Sequence, residues 1–432
     1  MFYKRLGIVL LSLIFTFGAA SHLILIYSSF IGSNFCSKDF VQFYLSAKAQ
    51  VAGANPYTDL AALRSTYIAD TCTALPIEHS TPYPPSVIIL FLPFARLSLF
   101  TAAILWLGLS ICFQNLAVYF LCRLDRGKSL GRLECGAIFA WCNLSSPASV
   151  DLAVGNVNSL LLLLATLVIW GVSKKRELFA GAMTSLIFAL KLWGGFLVFA
   201  MVLHRRKQYI KGFLFGSIAI GLFTASFSGA SIYSSWLENI FAVRHNYEYA
   251  AQNLSLWTIG PRLYNGMDLS NGHFLIPPLF NIKELSLPFT ILLLISLVSY
   301  SSILIYRRGW DMQLVAILCL ASTFIHPIIW EHYFSLLALA ATMTIYKEKE
   351  HRSPSIVPGN FVLLLPIFFW QEIVAILKGG LTLGAIPQVI VSLLLLYPII
   401  VVWRYILLSI FYAETGIEGS DVSVGPKLKT NL

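Results

Sequence analysis

The sequence predicts an all-α protein that crosses a lipid bilayer about twelve times. Of its 432 residues, 57% are hydrophobic and only 12% are charged. A soluble domain carries about 25% charged residues, so this chain has too few polar side chains to cover a surface that faces water. Its basic residues lie in short clusters between long apolar runs, as they do in cytoplasmic loops of membrane proteins. The net charge of +10 therefore indicates orientation in a membrane, not a nucleic-acid partner.

Apolar runs bounded by charged residues give the individual spans. We predict spans at 6–30, 99–122, 133–149, 157–172, 177–190, 192–203, 209–228, 286–306, 311–328, 332–346, 358–376 and 387–411. The first run resembles a signal peptide at its basic start, but apolar residues resume at 23–27, so we interpret it as an uncleaved span. An even number of spans places both termini on the same side of the membrane. The basic clusters fall on that side too, which indicates that it is the cytoplasm.

The segments between the spans divide into two long outer loops and a tail. The loops cover about 31–98 and 229–285, and each contains stretches that predict short helices at the membrane surface. Residues 82–98, which begin with Pro-Tyr-Pro-Pro, predict a juxtamembrane or re-entrant helix. The polar tail at 413–432 predicts a flexible cytoplasmic end. The whole chain, 1–432, is thus predicted to be one transmembrane domain, with a disulfide possible between Cys36 and Cys72 in the first outer loop.

Asp39 follows the first span directly, at the predicted outer boundary of the membrane. A carboxylate held there suits a general base that acts on a hydroxyl substrate. The alternative is that Asp39 caps a helix over 40–52, which Gly53 and the turn at Asn55-Pro56 would end. The local sequence leaves both interpretations open.

Lys191 lies inside an apolar run, where an unpaired lysine costs several kcal/mol, so it is either functional or snorkels to the interface. Asp151 and the stretch Gly155-Asn-Val-Asn158 predict a short outer turn between two spans. Two histidines and a glutamate lie in the stretch His326-Pro-Ile-Ile-Trp-Glu-His332, which could hold a metal, a phosphate or a sugar. Pro327 and the spacing of these residues do not fit a metal-binding helix. All these residues fall on the predicted outer side, which suggests one external site.

Several of these motifs, in order along the chain, resemble glycosyltransferase family 87, whose members are membrane enzymes with the GT-C fold. The matching stretches cover about residues 35–335 and are Asp39-Phe40, Gly53-x-Asn-Pro-Tyr57, Tyr83-Pro-Pro85, Leu92-Pro93, Gly155-Asn-Val-Asn158, Ala189-Leu-Lys191, Gln252-Asn-Leu-Ser255 and His326–His332. The family more often has Gln at the position of Asn156, and Ser and Asp at those of His326 and Glu331.

The resemblance implies a role for each matched residue. Asp39 would deprotonate the acceptor hydroxyl, the sugar would be transferred with inversion, and a polyprenyl phosphate would leave. The donor phosphate and sugar would contact Lys191, Arg262, His326, Glu331 and His332. The acceptor or sugar would contact Asn55, Tyr57, Tyr83, Asn156, Asn158, Asn253 and Trp330.

The resemblance also implies the partners and the location. The partners are a polyprenyl-phosphate sugar, with mannose the first expectation, a lipid or glycan acceptor, and membrane lipids. We predict no metal site and no cofactor besides the lipid-linked donor, although use of a divalent metal stays open. The protein would be a multi-pass protein of a plasma membrane, such as the bacterial inner membrane, with its site facing the periplasm or exterior. A transporter or flippase of lipid-linked sugars is the alternative, but it would favour internal repeats and charges at the bilayer midplane, which the sequence does not show.

Overall fold

The computed structural model describes residues 16, 20, 23–29, 36, 38–69, 71–72, 79–124, 130–247, 250, 253–268, 275–307, 310–326, 328–351, 366–382, 390, 394 and 396–404. The predicted cytoplasmic tail at 413–432 and most of the predicted first span at 6–30 lie outside these residues. The helices are α1 Asp39–Val51, α2 Leu60–Tyr67, α3 Pro85–Phe91, α4 Leu99–Cys122, α5 Arg132–Leu144, α6 Ser146–Val154, α7 Asn158–Ser173, α8 Glu177–Lys191, α9 Gly195–Leu203, α10 Lys207–Ser228, α11 Ile232–Tyr247, α12 Ile259–Tyr264, α13 Ser286–Arg307, α14 Met312–Phe324, α15 Leu337–His351 and α16 Trp370–Thr382.

Three of these helices are long and apolar enough to cross a membrane. They are α4, α10 and the segment Lys283–Arg307 that contains α13, with mean hydropathies of 1.8, 1.6 and 2.1. A helix of 24 residues such as α4 is about 36 Å long, which exceeds the hydrocarbon thickness of a bilayer. On the face of α10 that points away from the rest of the protein, large apolar side chains such as Phe215 and Leu222 are mostly exposed. These faces would contact lipid, as the predicted spans require.

The helix boundaries agree with several predicted spans and differ from others. The span predicted at 133–149 is divided, because α5 ends at Leu144 and the Ser145 side chain caps α6, which begins with Ser146 and Pro147. Asp151 therefore lies inside a helix, and its prediction as part of a turn is wrong. The span predicted at 332–346 begins with a 3₁₀ helix, Glu331–Leu336, before α15. Because α9 has only nine residues, the count of twelve crossings stays a prediction.

The first outer loop contains α1, α2 and α3, with α1 packed against both of the others. The N-cap of α1 is Lys38, and no side chain caps this helix, so the interpretation of Asp39 as its cap is wrong. The helix ends at Val51 before Gly53, which has a φ of +73°, as its sequence predicts. The segment 82–98 forms α3 and a 3₁₀ turn at Phe94–Arg96, a short helical element like the one predicted.

The second outer loop contains α11, α12 and a small antiparallel pair of strands. The strands β1 Met267–Asp268 and β2 Leu275–Ile276 pair Met267 with Ile276. The prediction of an all-α chain therefore holds for the described residues apart from this hairpin. The loop folds back onto the segment before α15, because the Leu254 amide donates to the Ile329 carbonyl at 2.7 Å.

Helices α8 and α10 approach each other backbone to backbone. A Cβ added to Gly212 would lie 2.0 Å from the Leu178 carbonyl oxygen, and one added to Gly181 would lie 2.1 Å from that of Tyr209. Small residues allow this approach, as they commonly do between membrane helices. The Thr184 and Tyr209 hydroxyls are 2.6 Å apart in the same contact. We call this contact the glycine seam; it fixes the course of α8, which ends at Lys191.

Candidate active site

A cavity of about 510 Å³ lies between the two outer loops and the ends of the apolar helices. Its lining includes polar and aromatic side chains from segments far apart in the sequence: Asp39, Gln42, His79, Tyr83, Lys191, Trp236, Tyr247, His326, Trp330 and Tyr333. Tyr83, Lys191, His326 and Trp330 were predicted for the site together with Asp39. The fold thus gathers at one place residues that are nearly 300 positions apart.

Asp39, the first residue of α1, has polar partners on both carboxylate oxygens. Its Oδ2 accepts a short hydrogen bond from the Asn156 amide and lies 3.5 Å from the Tyr83 hydroxyl and 3.7 Å from His332 Nε2. Its Oδ1 accepts from Gln42 Nε2 at 3.2 Å. The Asn156 amide also donates to the Tyr83 hydroxyl at 2.8 Å. These contacts fix the orientation of a carboxylate whose side chain stays 19% exposed.

Burial raises the pKa of the Asp39 carboxyl above its ordinary value of 3.8. The hydrogen bond from Asn156 and the positive charge of Lys191 act in the opposite direction, because both favour the ionised form. A carboxylate with a raised pKa accepts a proton more strongly than an ordinary one. This environment suits a general base.

Lys191 ends α8 and is buried, with only 3% of its surface exposed. Its Nζ donates to the Asn158 side-chain oxygen at 2.7 Å and lies 3.7 Å from the centre of the Tyr333 ring. The rings of Tyr83 and Trp193 are 5.5 Å and 5.3 Å away. The interpretation of Lys191 as a snorkelling residue is wrong, because its ammonium group lies beside the cavity under aromatic rings.

Asp151 lies behind Lys191 and supports the start of α7. One of its carboxylate oxygens accepts from the Ser159 amide at 2.9 Å and from the Ser159 hydroxyl at 2.5 Å. Gln114 donates to the same hydroxyl at 3.1 Å. This buried network holds the first turn of α7, whose first residue, Asn158, binds Lys191. Asp151 thus positions the residues around the cavity and does not line it.

Gly155 places Asn156 beside Asp39. It has a φ of +67°, and a Cβ at this position would lie 2.7 Å from the Cβ of Phe40. Its carbonyl oxygen accepts from the Trp106 indole at 2.9 Å. The left-handed backbone here lets the chain turn from α6 into α7 while the Asn156 amide reaches the carboxylate.

We expect Gly155→Ala to destabilise the protein by about 1–3 kcal/mol, because alanine is strained at this φ and would collide with Phe40. The measurement is thermal unfolding of the detergent-purified protein. Gly108→Ala is the matched control, since a Cβ there meets no atom within 4 Å. Equal melting temperatures for Gly155→Ala and wild type would contradict the role assigned to this turn.

The stretch from His326 to His332 contributes four side chains at or beside the cavity. His326, Ile328 and Trp330 line it, and His332 lies beside Asp39. Burial lowers the pKa of His326 to about 4 and holds that of His332 well below its usual range. Both imidazoles are therefore neutral near neutral pH. Glu331 is half-buried at the start of the 3₁₀ helix and is not among the lining residues.

Four predicted contact residues support the cavity from outside its lining. Arg262 donates to the Asn253 carbonyl at 2.5 Å, and the Asn253 side-chain oxygen accepts from the Ile329 amide at 2.9 Å. This pair fixes the second outer loop against the stretch before α15. Asn55 is exposed and accepts from the Tyr57 amide at 2.9 Å, while the Tyr57 hydroxyl donates to the Tyr83 carbonyl at 2.9 Å. The Tyr57 contact holds the backbone of Tyr83, and the Asn253 contact holds the backbone next to Trp330.

The sequence interpretation missed several lining residues. Gln42 lies one turn after Asp39 on α1, so helical spacing could have indicated it. Tyr333 follows His332 directly, and its ring covers Lys191. His79 and Tyr247 come from different outer loops and are hydrogen-bonded to each other, with the Tyr247 ring 5.3 Å from that of Trp330. No local pattern indicates the contact between His79 and Tyr247, because it forms only when the loops meet.

Cys36 and Cys72 are joined by a disulfide, with their Cα atoms 5.5 Å apart. The bond ties the chain just before α1 to the chain just after α2. The described residues hold no group of three His, Cys, Asp or Glu side chains placed to bind a metal ion.

Comparison with known proteins identifies the family of this chain. The model of glycosyltransferase family 87 matches residues 81–343, which is more than half of the chain. The matched segment contains Tyr83, Asn156, Lys191 and His332, while Asp39 precedes it. A search of curated proteins finds no match. The apolar helices and the family match together confirm the resemblance seen in the sequence: the chain belongs to glycosyltransferase family 87.

Proposed function

We propose that this protein transfers a sugar from a polyprenyl-phosphate donor to a hydroxyl group of a lipid or glycan acceptor, with Asp39 as the general base. The observation that carries the proposal is the placement of the Asp39 carboxylate and the Lys191 ammonium in one cavity. An acceptor hydroxyl needs a proton acceptor, and a phosphate that leaves needs positive charge. Family membership supplies the reaction class, since members are glycosyltransferases.

The reaction is a single displacement with inversion. The acceptor oxygen forms a bond to the anomeric carbon while its proton passes to the Asp39 carboxylate. The bond between that carbon and the phosphate oxygen breaks, and its electron pair stays on the polyprenyl phosphate. Lys191 stabilises the negative charge that develops on the phosphate. His332, which is neutral and 3.7 Å from Asp39, helps to orient the carboxylate.

The proposal includes the GT-C arrangement of about twelve spans, with the cavity on the outer face of a plasma membrane. Of the lysines and arginines in the described residues, Lys191 is the one that lines this cavity. We therefore give Lys191 the task of stabilising the leaving phosphate, for which the sequence offered four basic residues. Mannose is the sugar we expect first. The apolar faces of α4, α10 and α13 support a donor that arrives from the lipid phase.

Purified protein in lipid vesicles, supplied with polyprenyl-phosphate mannose carrying a radiolabel, tests the proposal. We expect label to move to an acceptor from cell-envelope extracts, with release of polyprenyl phosphate and inverted anomeric configuration in the product. The same preparation should not use a nucleotide sugar as donor. A flippase would instead move the intact donor across the vesicle membrane without cleaving it, and that outcome, or retention of configuration, would refute the proposed reaction.

A further inference from the structure

The two oxygens of the Asp39 carboxylate have unequal surroundings. Oδ2 lies near three polar groups: the Asn156 amide, the Tyr83 hydroxyl and the His332 imidazole. Within the described part of the chain, Oδ1 has one hydrogen-bond partner, the Gln42 amide, whose Nε2 is 3.2 Å away. An ionised carboxylate offers about four lone-pair sites on its two oxygens. Oδ1 therefore keeps a lone pair for a further donor, whereas Asn156 and Tyr83 face those of Oδ2.

Gln42 lies three residues after Asp39 on α1, so the two side chains share one face of the helix. Both side chains line the cavity, and Gln42 is buried, with 7% of its surface exposed. The nitrogen of the Gln42 amide must face the carboxylate, because an ionised carboxylate accepts hydrogen bonds and donates none. The charge of Asp39 therefore fixes which way the Gln42 amide points.

The oxygen of the same amide has no hydrogen-bond partner. Gln42 Oε1 is buried, and no described residue donates to it. A buried polar atom of this kind has given up its hydrogen bonds to water without replacing them, so native structures seldom keep one. Gln42 keeps such an atom beside the proposed base. Its polar group is therefore better explained by the chemistry of Asp39 than by packing.

We propose that Gln42 is a positioning residue, which makes Oδ1 the proton-accepting atom of Asp39 and follows the proton after it arrives. This inference rests on the proposed function, in which Asp39 is the general base. While the carboxylate is ionised, Gln42 Nε2 donates to Oδ1 and leaves the second lone pair free. The O–H bond of the acceptor then breaks. Its proton bonds to that lone pair, and its electron pair forms the new bond to the anomeric carbon.

A rotation of the Gln42 amide would serve the protonated state. A turn of about 180° around the last side-chain torsion, which has two broad minima, exchanges Nε2 and Oε1. The new Asp39 hydroxyl can then turn toward Gln42 and donate to Oε1. One amide atom lacks a partner in each state, so this cost does not oppose the transfer. Leucine offers neither a donor nor an acceptor, and an ionised carboxylate offers only an acceptor.

The experiment compares Gln42→Leu and Gln42→Glu with the wild-type protein in lipid vesicles. Gln42→Leu removes the donor, so we expect the turnover rate to fall about tenfold with little change in the KM for the donor. Gln42→Glu keeps the size of the side chain but places a second carboxyl group beside Asp39. Two such groups share a proton, so this variant should lose about 10²-fold in rate.

Gln50→Leu is the matched control, because it makes the same change on the same helix. Gln50 lies outside the lining of the cavity, and its amide donates to the Phe227 carbonyl at 3.5 Å. The rate of Gln50→Leu should stay near that of the wild type. The melting temperature of Gln42→Leu should not fall, because leucine removes the buried oxygen that lacks a partner.

Infrared spectra give a readout that does not depend on turnover. The spectrum of the wild type minus that of Asp39→Asn isolates the carboxylate stretching band of Asp39. Hydrogen bonds to the carboxylate oxygens move this band. The same subtraction in the Gln42→Leu background should therefore show a shifted band, whereas the Gln50→Leu background should show the wild-type band.

An unshifted Asp39 band in Gln42→Leu, or a rate above half that of the wild type, would overturn the assignment. A slower Gln42→Leu protein with a lower melting temperature and an unshifted band would mean that Gln42 only supports the fold. If Gln42→Leu does not fold, Gln42→Glu decides by the same band and the same rate. If the band shifts but even the wild type transfers no sugar, the proposed function fails while the positioning of Asp39 by Gln42 stands.

Discussion

Asp39→Asn should lower the turnover rate of sugar transfer by about 10²–10⁴-fold, because it removes the proposed general base and keeps the shape of the side chain. The KM for the donor should change little, since the proposed reaction has Asp39 act on the acceptor hydroxyl. Initial rates of transfer from the radiolabelled donor, with purified protein in vesicles, give both constants. Asp59→Asn is the matched control, because Asp59 lies in the same outer loop and only caps α2. Transfer by Asp39→Asn at more than half the wild-type rate would refute the assignment of the base.

The pH dependence of the wild-type rate tests the same assignment. Because burial raises the Asp39 pKa, the carboxyl is protonated at a higher pH than an ordinary aspartate. The rate should therefore fall, as the pH is lowered, through a midpoint above 3.8. A raised pKa in the folded state also means that ionised Asp39 destabilises the fold at pH values above that midpoint. Asp39→Asn should accordingly not lower the melting temperature at neutral pH.

Lys191→Met should lower the turnover rate by about 10²–10³-fold, because the proposed leaving group, a phosphate, would lose the positive charge that stabilises it. It should also shift the acidic limb of the pH–rate profile to higher pH, since the charge of Lys191 lowers the Asp39 pKa in the wild type. Lys191→Arg keeps the charge and should leave the acidic limb near its wild-type position. The rate of Lys191→Arg should still fall, because a planar guanidinium does not fit the contacts to Asn158 and Tyr333 in the same way.

Lys211→Met, on the exposed side of α10, is the control for loss of a lysine from an apolar helix. The shift of the acidic limb separates an electrostatic role from a structural one. A Lys191→Met protein that is less active only because less of it folds would keep the wild-type pH profile. That profile would contradict the electrostatic role.

Much of the helical layout could be predicted from hydrophobicity, because an uninterrupted apolar run bounded by charges has few alternatives to a helix in lipid. The span predicted at 99–122 coincides with α4. The span predicted at 157–172 differs from α7 by one residue at each end, and the span predicted at 209–228 differs from α10 by two residues at its start only. The predictions were wrong where polar capping overrides hydrophobicity. The Ser145 cap and Pro147 divide one apolar run into two helices, and only local hydrogen-bond geometry shows this.

The site could be predicted only residue by residue. Asp39, Lys191 and Tyr83 were each identified, but the hydrogen bond from Asn156 to Asp39 joins residues 117 positions apart. No spacing rule relates such residues in a single sequence. The same limit applies to Asn253 and Arg262, whose ligand contacts stay a prediction: their hydrogen bonds to the backbone form only in the folded chain.

The glycine seam has a consequence for how activity screens of this protein will be interpreted. Helices that touch at their backbones leave no layer of side chains to absorb a change in volume, so a methyl group at Gly181 or Gly212 must push α8 away from α10 as a rigid rod. Lys191 ends that rod, and its ammonium would move with it relative to Asp39. Random mutagenesis should therefore find inactive variants along the seam that mimic loss of Lys191, although neither glycine lines the active-site cavity.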